Sequence, residues 1–342
     1  MAGRSKVSNK KIIAVIVAAI LLVALFGVGI HFIEKLGLKD QQFGDTGDWG
    51  EEEEQTILEF GDKSYVSDDD VDAYLIIGTD AGGEDLGEAY KGELADFLTL
   101  LLIDNTTQKF AFMQIDRNSM MEVQVLDEEG DHYGYATQQI CLAHWYGLNA
   151  EQRNENTVEA VSRFFGNLNI DNYYTINMAD MDKINNAIGG VVVDIDTDMT
   201  NIDPAFVKGE SVLLTDGQAE KFVRARKSVG SGSNRERMAR QTQYMQKAYN
   251  LVMGQLRENP EYINELYDSL EDTVQSDNDQ SDLSRLANHI LQYESLGILQ
   301  FEGEAKRGDT QGDGIEHEEF YTDQSSILAN LRKVMDLREM EE

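Results

Sequence analysis

The chain carries a cluster of basic residues at 224–240, and the residue types in it suit the binding of an anion. Within 17 residues stand Arg224, Arg226, Lys227, Arg235, Arg237 and Arg240. An arginine side chain presents a planar fork of donors that matches the oxygens of a phosphate group. Arginines this close together repel one another unless an anion lies between them. The cluster therefore predicts an anion site, and pairing with surrounding acidic side chains is the alternative.

The spacing of these residues predicts that one helix and one loop bring them together. Positions i, i+3, i+4 and i+7, which share a helix face, are occupied by Arg237, Arg240, Gln241 and Tyr244. A second face, expected to pack on the core, is formed by Met238, Met245, Tyr249, Val252 and Leu256. The loop 228–234 is rich in Gly and Ser, so it can fold the two groups of arginines toward one point.

Two acidic residues are candidates for binding a divalent cation near the arginines. Asp80 and Asp96 lie at or just before segments that we expect to be strands. A phosphate-rich ligand is usually accompanied by Mg²⁺, which one or two carboxylates hold together with the phosphates. Each aspartate, taken alone, suits an ordinary turn or capping position equally well.

The elements that must position these residues alternate between strands and helices. Apolar runs predict strands at 73–78, 97–103, 110–115, 173–176 and 191–195. Helical patterning covers 137–147, 153–165 and 177–188, and returns after Pro260 at 282–295 and 323–337. Asp104 to Thr107 has the composition of a turn, which predicts a hairpin. The alternation predicts a layered α/β/α domain around a central mixed β-sheet.

The composition excludes several classes of protein. The net charge is −34, from 63 acidic residues against 29 Lys and Arg, and a nucleic-acid partner requires a basic surface. The single Cys141 excludes an intramolecular disulfide and any metal site built on several cysteines. The five His residues are widely spread, which argues against a zinc enzyme.

The N-terminal region predicts a single membrane anchor. Residues 12–33 form a run of 22 without Asp, Glu, Lys or Arg, long enough at ~1.5 Å per residue to cross a hydrocarbon core of ~30 Å. A cleaved signal peptide is the alternative, but its apolar region is only about 7–15 residues long. The basic tail 1–11 predicts a cytoplasmic N-terminus. We therefore expect an acidic extracytoplasmic spacer at 34–70, with the folded domain outside the cell membrane.

Six short segments, in order, carry a family resemblance. They are YLIIGTD (74–80), LADFLTLLLID (94–104), MQIDRNSM (113–120), INMADMDKINNAIGGVVVDI (176–195), LTDGQAEKFVRARK (214–227) and NRERMARQ (234–241). Together they resemble the LytR-CpsA-Psr family of cell-wall glycopolymer transferases, which also has a basic tail, one anchor and an extracytoplasmic domain. The resemblance implies a catalytic domain at 71–258. A C-terminal extension at 259–342 is expected to pack on the same domain.

The resemblance implies a phosphotransferase that joins a polyprenyl-pyrophosphate-linked glycopolymer, such as a teichoic acid or capsular polysaccharide, to peptidoglycan as a phosphodiester. The residues that match pyrophosphate-binding positions are Arg117, Arg224, Arg226, Arg237, Arg240 and Gln241. The positions implied for Mg²⁺ or another divalent cation are Asp80, Asp96 and Asn234, with Asp96 and Arg117 also catalytic. The apolar strands and methionine-rich helices are expected to enclose the lipid tail.

Four departures from the family pattern leave other functions open. Leu94 stands where the family has Arg, and Asn234 stands where it often has Asp. The family's Pro-Arg-Asp reads Asp116-Arg117-Asn118 here, and its Lys-Ile-Asn reads Gln139-Ile140-Cys141. Asn is a neutral ligand, so Asn234 predicts weaker metal binding. One alternative is a non-catalytic lipid-pyrophosphate-binding or regulatory envelope protein. Another is a polyprenyl-pyrophosphate hydrolase, in which water replaces the sugar hydroxyl.

Overall fold

A computed structural model describes residues 55–80, 93–215, 217–259, 262–277, 292–312 and 314–340. The predicted tail 1–11, the predicted anchor 12–33 and positions 34–54 of the predicted spacer lie outside the described residues. So does most of the predicted helical segment at 282–295. No helix in the described ranges is long and apolar enough to span a bilayer.

The strands and helices follow one another along the whole described chain. The strands are β1 Thr56–Phe60, β2 Lys63–Ser67, β3 Val71–Thr79, β4 Ala95–Asp104, β5 Lys109–Ile115, β6 Met120–Leu126, β7 His132–Gln139, β8 Asn172–Asn177, β9 Val192–Asp194, β10 Ser211–Leu213, β11 Val274–Ser276, β12 Glu294–Gln300, β13 Gly303–Gly308, β14 His317–Thr322 and β15 Arg338–Glu339. The α-helices are α1 Ala150–Phe164, α2 Met181–Ala187, α3 Gln218–Arg224, α4 Asn234–Glu258, α5 Tyr262–Leu270 and α6 Gln324–Val334.

The centre of the domain is a six-stranded mixed sheet in the order β11-β8-β3-β4-β5-β12. The hairpin that the turn at 104–107 predicted is confirmed, because β4 and β5 pair antiparallel. β3 pairs antiparallel with β4 and parallel with β8. β3 and β4 read as nearly continuous apolar runs because the sheet is covered on both faces.

Helices cover the two faces of the sheet and form a separate core on each. Leu75 and Ile77 belong to a buried cluster that also contains residues of α1 and α6. Ile76 and Gly78, which alternate with them along β3, face residues of α2, α3 and α4. The buried residues on this other face of the sheet form a second cluster, to which α5 also contributes. The prediction of an α/β domain with helical layers around a central mixed sheet is therefore confirmed.

Two local predictions were wrong, and long-range pairing explains both. Part of the predicted spacer at 34–70 folds into β1 and β2, with Leu58 and Tyr65 buried, because β2 pairs with β15 near the other end of the chain. The helix predicted at 137–147 is replaced by the end of β7 and a 3-10 helix at Ile140–Trp145. β7 persists to Gln139 because it pairs with β6 in a hairpin.

The C-terminal part of the chain contributes to the same structure. β12 forms an edge of the central sheet, where it pairs parallel with β5. α6 places Ile327 and Leu331 in the same core cluster as β4. β13 and β14 form a separate antiparallel hairpin. The described residues of segment 259–342 thus share both a sheet and a core with the preceding residues.

Candidate active site

Asp96 lies between two arginines that come from different elements. Its Oδ1 is 2.7 Å from Nη1 of Arg117, and its Oδ2 is 3.2 Å from Nη1 of Arg237. Antiparallel pairing places the start of β4 beside the end of β5, which brings Asp96 next to Arg117. Arg237 arrives from the first turns of α4. Three elements therefore meet at one buried carboxylate.

Both arginines remain cations although they are removed from water. Burial lowers the pKa of Arg237 to about 10, in spite of the opposing effect of Asp96, so this guanidinium is still protonated at neutral pH. Nη2 of Arg117 donates to Sγ of Cys141 at 3.0 Å. Burial raises the pKa of the Cys141 thiol. Cys141 therefore acts as a neutral hydrogen-bond acceptor for Arg117.

Asn234, the first residue of α4, connects a second carboxylate to Arg237. Its Oδ1 accepts a hydrogen bond from Nη2 of Arg237. Its Nδ2 donates to Oδ1 of Asp116 at 2.5 Å. Burial is the main cause of the raised pKa of Asp116. Both polar groups of the Asn234 amide are thus engaged, which accounts for its complete burial.

Asp80 and Arg224 form a second ion pair of the site. The Arg224 guanidinium contacts the carboxylates of both Asp80 and Glu220. Burial raises the pKa of Asp80, and it outweighs the lowering effect of Arg224. The charge of Asp96 raises the pKa of Asp80 further. The pKa of Asp80 thus depends on both Arg224 and Asp96.

The remaining predicted residues bind backbone groups or a different acid. Arg226 contacts the Glu318 carboxylate, and its Nε donates to the carbonyl of Gly232 at 3.3 Å. Arg240 donates to the carbonyl of Phe222 at 3.0 Å and also to that of Ala225. Gln241 donates to the carbonyl of Val223 at 3.4 Å. Arg240 and Gln241 therefore hold the C-terminal end of α3 against α4.

A partly open apolar pocket adjoins the arginine site. Side chains from β3, β4, β8 and helices α2 to α4 line it, among them Ile76, Phe97, Met181, Val223, Tyr244 and Met245. Phe97 follows Asp96 directly, and Gln241, one turn after Arg237, is also part of the lining. The pocket and the charged site therefore share one boundary.

The carboxylates suit a divalent cation only if a ligand completes its coordination. No group of three or more His, Cys, Asp or Glu side chains within the described ranges could hold a metal. Asp80 and Asp96 supply two carboxylates, and Mg²⁺ is commonly bound by one or two carboxylates together with phosphate oxygens and water. The donor set therefore fits a Mg²⁺ ion shared with a phosphate ligand once the arginines that contact Asp80 and Asp96 turn toward the phosphate.

Sequence reasoning did not identify two acids that contact the arginines. Glu220 precedes Arg224 by four residues on one helix, and this spacing is a recognisable signal for an ion pair. Glu318 comes from β14, far along the chain from Arg226. Nothing local distinguishes Glu318 from the other acids of a chain that contains 63 of them.

Comparison with known proteins identifies the family of this chain. A model of the LytR_cpsA_psr family matches residues 44–334. The chain belongs to this family. The resemblance predicted from the six sequence segments is thereby confirmed.

The relatives of this LytR-CpsA-Psr chain are distant. A Bacillus anthracis protein named polyisoprenyl-teichoic acid–peptidoglycan teichoic acid transferase TagU is 29% identical over 181 residues, which cover 53% of this chain and 52% of that protein. The match spans about half the length of that relative. The crystal structure of B. subtilis TagV has 18% identity and a TM-score of 0.54, covering 77% of this chain and 96% of that one.

The structure of TagT bound to LI-WTA resembles this chain about as closely as that of TagV does. It has 17% identity and a TM-score of 0.53, and it covers 78% of this chain and 89% of that one. At such low identity, these two structures establish the shared fold.

Proposed function

We propose that this chain is an extracytoplasmic phosphotransferase that joins a polyprenyl-pyrophosphate-linked glycopolymer to peptidoglycan as a phosphodiester. The observation that supports this most is the shared boundary between the apolar pocket and the arginine site. A lipid pyrophosphate matches this arrangement, because its apolar chain is followed directly by two phosphates. The name of the B. anthracis relative supports a teichoic acid as the class of polymer.

In the proposed reaction, a sugar hydroxyl of peptidoglycan attacks the phosphorus that carries the polymer. The new P–O bond gives a phosphodiester, and the bond between the two phosphates breaks to release polyprenyl phosphate. Phosphoryl transfer depends mainly on positioning and on neutralising charge. Arg117 and Arg237 would bind the pyrophosphate oxygens, with Asp96 holding both guanidinium groups in place.

The hydroxyl proton must pass to a base during this attack. The candidate bases are the two site aspartates: Asp80, which contacts Arg224 and whose pKa is raised by burial, and Asp96, which two arginines engage. We also propose Mg²⁺ as the cofactor, with Asp80 and Asp96 as its carboxylates and Asn234 beside them. When bound, the ion would offset the charge of the pyrophosphate.

A second candidate is a non-catalytic protein that binds lipid pyrophosphate. The observation that favours it is the engagement of Asn234 with Arg237 and Asp116, which leaves two carboxylates, Asp80 and Asp96, for the metal. The purified full chain should be incubated with lipid-pyrophosphate-linked polymer and peptidoglycan fragments. A phosphodiester-linked product supports the transferase. Released polymer phosphate without that product identifies a hydrolase, and tight binding with neither product identifies the non-catalytic protein.

The location outside the cell membrane is also a proposal, supported by the uncharged segment 12–33 and the basic tail 1–11. Protease should be added to intact cells whose outer face has been made accessible. The domain should be digested, while a cytoplasmic control protein stays intact. Complete protection of the domain would refute this topology.

A further inference from the structure

The C-terminal hairpin of β13 and β14 is attached to the segment that carries Arg117. The backbone amide of Phe320 donates to the carbonyl of Asn118 at 2.9 Å. The side-chain amide of Gln139 donates to the carbonyl of Glu318 at 2.7 Å. These bonds fix β14 beside the end of β5, so the side chain of Glu318 has a defined position in the arginine site.

The Glu318 carboxylate joins two parts of the site that different elements supply. One oxygen contacts the Arg226 guanidinium, and the other accepts from the backbone amide of Asn234 at 3.1 Å. Asn234 begins α4, and the amides at a helix N-terminus carry a partial positive charge that a carboxylate stabilises. The Glu318 side chain is only 24% exposed, so solvent and salt screen these contacts less than at an open surface.

The contacts of Arg226 occupy only part of its guanidinium. Nε donates to Gly232 and Nη2 to Glu318. Nη1 makes no hydrogen bond to any residue that the structure describes. A guanidinium that is held along one side keeps its other donors for an incoming anion.

We propose that Glu318 is a positioning residue of the anion site. It holds Arg226 so that Nη1 can reach the pyrophosphate, and it ties the loop that carries Arg226 to the first turn of α4. This inference rests on the proposed function for the identity of the anion. A carboxylate that only competed with the substrate for Arg226 would have the opposite effect, because its removal would strengthen anion binding.

The test uses the full chain, with inorganic pyrophosphate and Mg²⁺ as the probe in titration calorimetry. Glu318→Gln should weaken binding roughly tenfold, because the amide keeps one acceptor oxygen for the two donors of Arg226 and Asn234, and outer-shell hydrogen-bond partners at metal sites contribute at least that much. Glu304→Gln is the matched control, because Glu304 is exposed on the same hairpin. In an Arg226→Ala background, Glu318→Gln should have no further effect, since Glu318 acts through Arg226.

Unchanged or tighter binding by the Glu318→Gln variant would overturn the proposal. A loss that adds fully to that of Arg226→Ala would also overturn it, because a general loss of folding gives that result. Wild-type chain that binds pyrophosphate but transfers no polymer would refute the proposed function alone, and the binding cycle would still decide the role of Glu318. Wild-type chain that binds no pyrophosphate would refute both.

Discussion

Nη1 of Arg237 lies 3.2 Å from Oδ2 of Asp96, although 141 positions separate the two residues in the sequence. The other oxygen of the same carboxylate is 2.7 Å from Arg117. Asp96 is therefore the point at which β4, the end of β5 and α4 are joined. Its carboxylate holds the two arginines in position and also links the three elements that carry these residues.

Asp96→Asn is expected to destabilise the fold as well as the site. The substitution leaves Arg117 and Arg237 buried without their shared counter-charge, and breaking a buried ion pair in this way costs on the order of 3 kcal/mol. Urea unfolding at pH 7 measures the free energy of unfolding. Asp194→Asn is the control, because Asp194 pairs with Lys247 at an exposed position and its loss should produce no clear change. Equal stability of the two variants would show that Asp96 does not join the elements.

Arg237→Lys is expected to weaken pyrophosphate binding while the positive charge is retained. Lysine lacks the planar fork of donors, so one charge-assisted hydrogen bond to the anion is lost, which costs about 1.5–3 kcal/mol. Arg235→Lys is the matched control, since the Arg235 side chain is 73% exposed. Titration calorimetry with inorganic pyrophosphate compares the two variants. Similar affinities would place the anion away from Arg237.

Much of the sheet was predictable because its strands are locally distinctive. β3, β4 and β5 are continuous apolar runs, and the turn between β4 and β5 has an unmistakable composition. β1 and β2 could not be recognised, because they are short and lie next to an acidic stretch. Their place depends on pairing with β15, which no local pattern reveals.

The site was predictable where a residue type stands out and less so where partners are remote. The cluster of arginines is conspicuous in a chain of net charge −34. Helical spacing alone could not show that Arg240 turns toward the carbonyls of α3, whereas Arg237 turns toward Asp96. That difference depends on which element lies opposite each side chain. Glu318 was missed for the same reason.

Filling the apolar pocket is expected to separate lipid binding from anion binding. Met181→Trp adds bulk to the lining of the pocket, so two or three methylene groups of a prenyl chain should no longer be buried there. The binding free energy should weaken by about 2 kcal/mol. Binding of a prenyl pyrophosphate should weaken, whereas binding of inorganic pyrophosphate should not change. Leu213→Trp, at an exposed position, is the control for added bulk. Equal loss for both ligands would show that the substitution has disturbed the arginines.

His144 is expected to make the fold sensitive to moderate acid. It is buried, with Nδ1 3.0 Å from Oγ1 of Thr157, and burial lowers its pKa to about 3. The unfolded chain binds a proton at about pH 6.5 and the native chain does not, so the stabilisation is complete above pH 6.5 and falls as the pH drops toward 3. Between pH 7 and pH 5 this loss is about 2 kcal/mol. Urea unfolding of wild type and His144→Gln at both pH values should show the extra loss only in wild type.

Asn234→Asp is expected to make the stability of the protein depend more strongly on Mg²⁺. Nδ2 of Asn234 lies 2.5 Å from Oδ1 of Asp116, so an aspartate there places two carboxylates side by side. Without a cation their repulsion destabilises the fold, and Arg237 offsets only part of it. A bound divalent ion removes the repulsion and stabilises the native state in proportion to its affinity. Unfolding midpoints should therefore rise more steeply with Mg²⁺ concentration in the variant than in wild type.

The control for this Mg²⁺ dependence is an equivalent change away from the site. Asn169→Asp also creates a pair of aspartates, because Nδ2 of Asn169 is 3.1 Å from Oδ1 of Asp171 at an exposed position. Water screens that pair, so its stability should respond to Mg²⁺ as wild type does. Transfer of polymer by the wild type should stop in EDTA and return with added Mg²⁺. Transfer that persists in EDTA would exclude a catalytic metal held by Asp80 and Asp96, and equal Mg²⁺ dependence in both variants would exclude position 234 from the metal site.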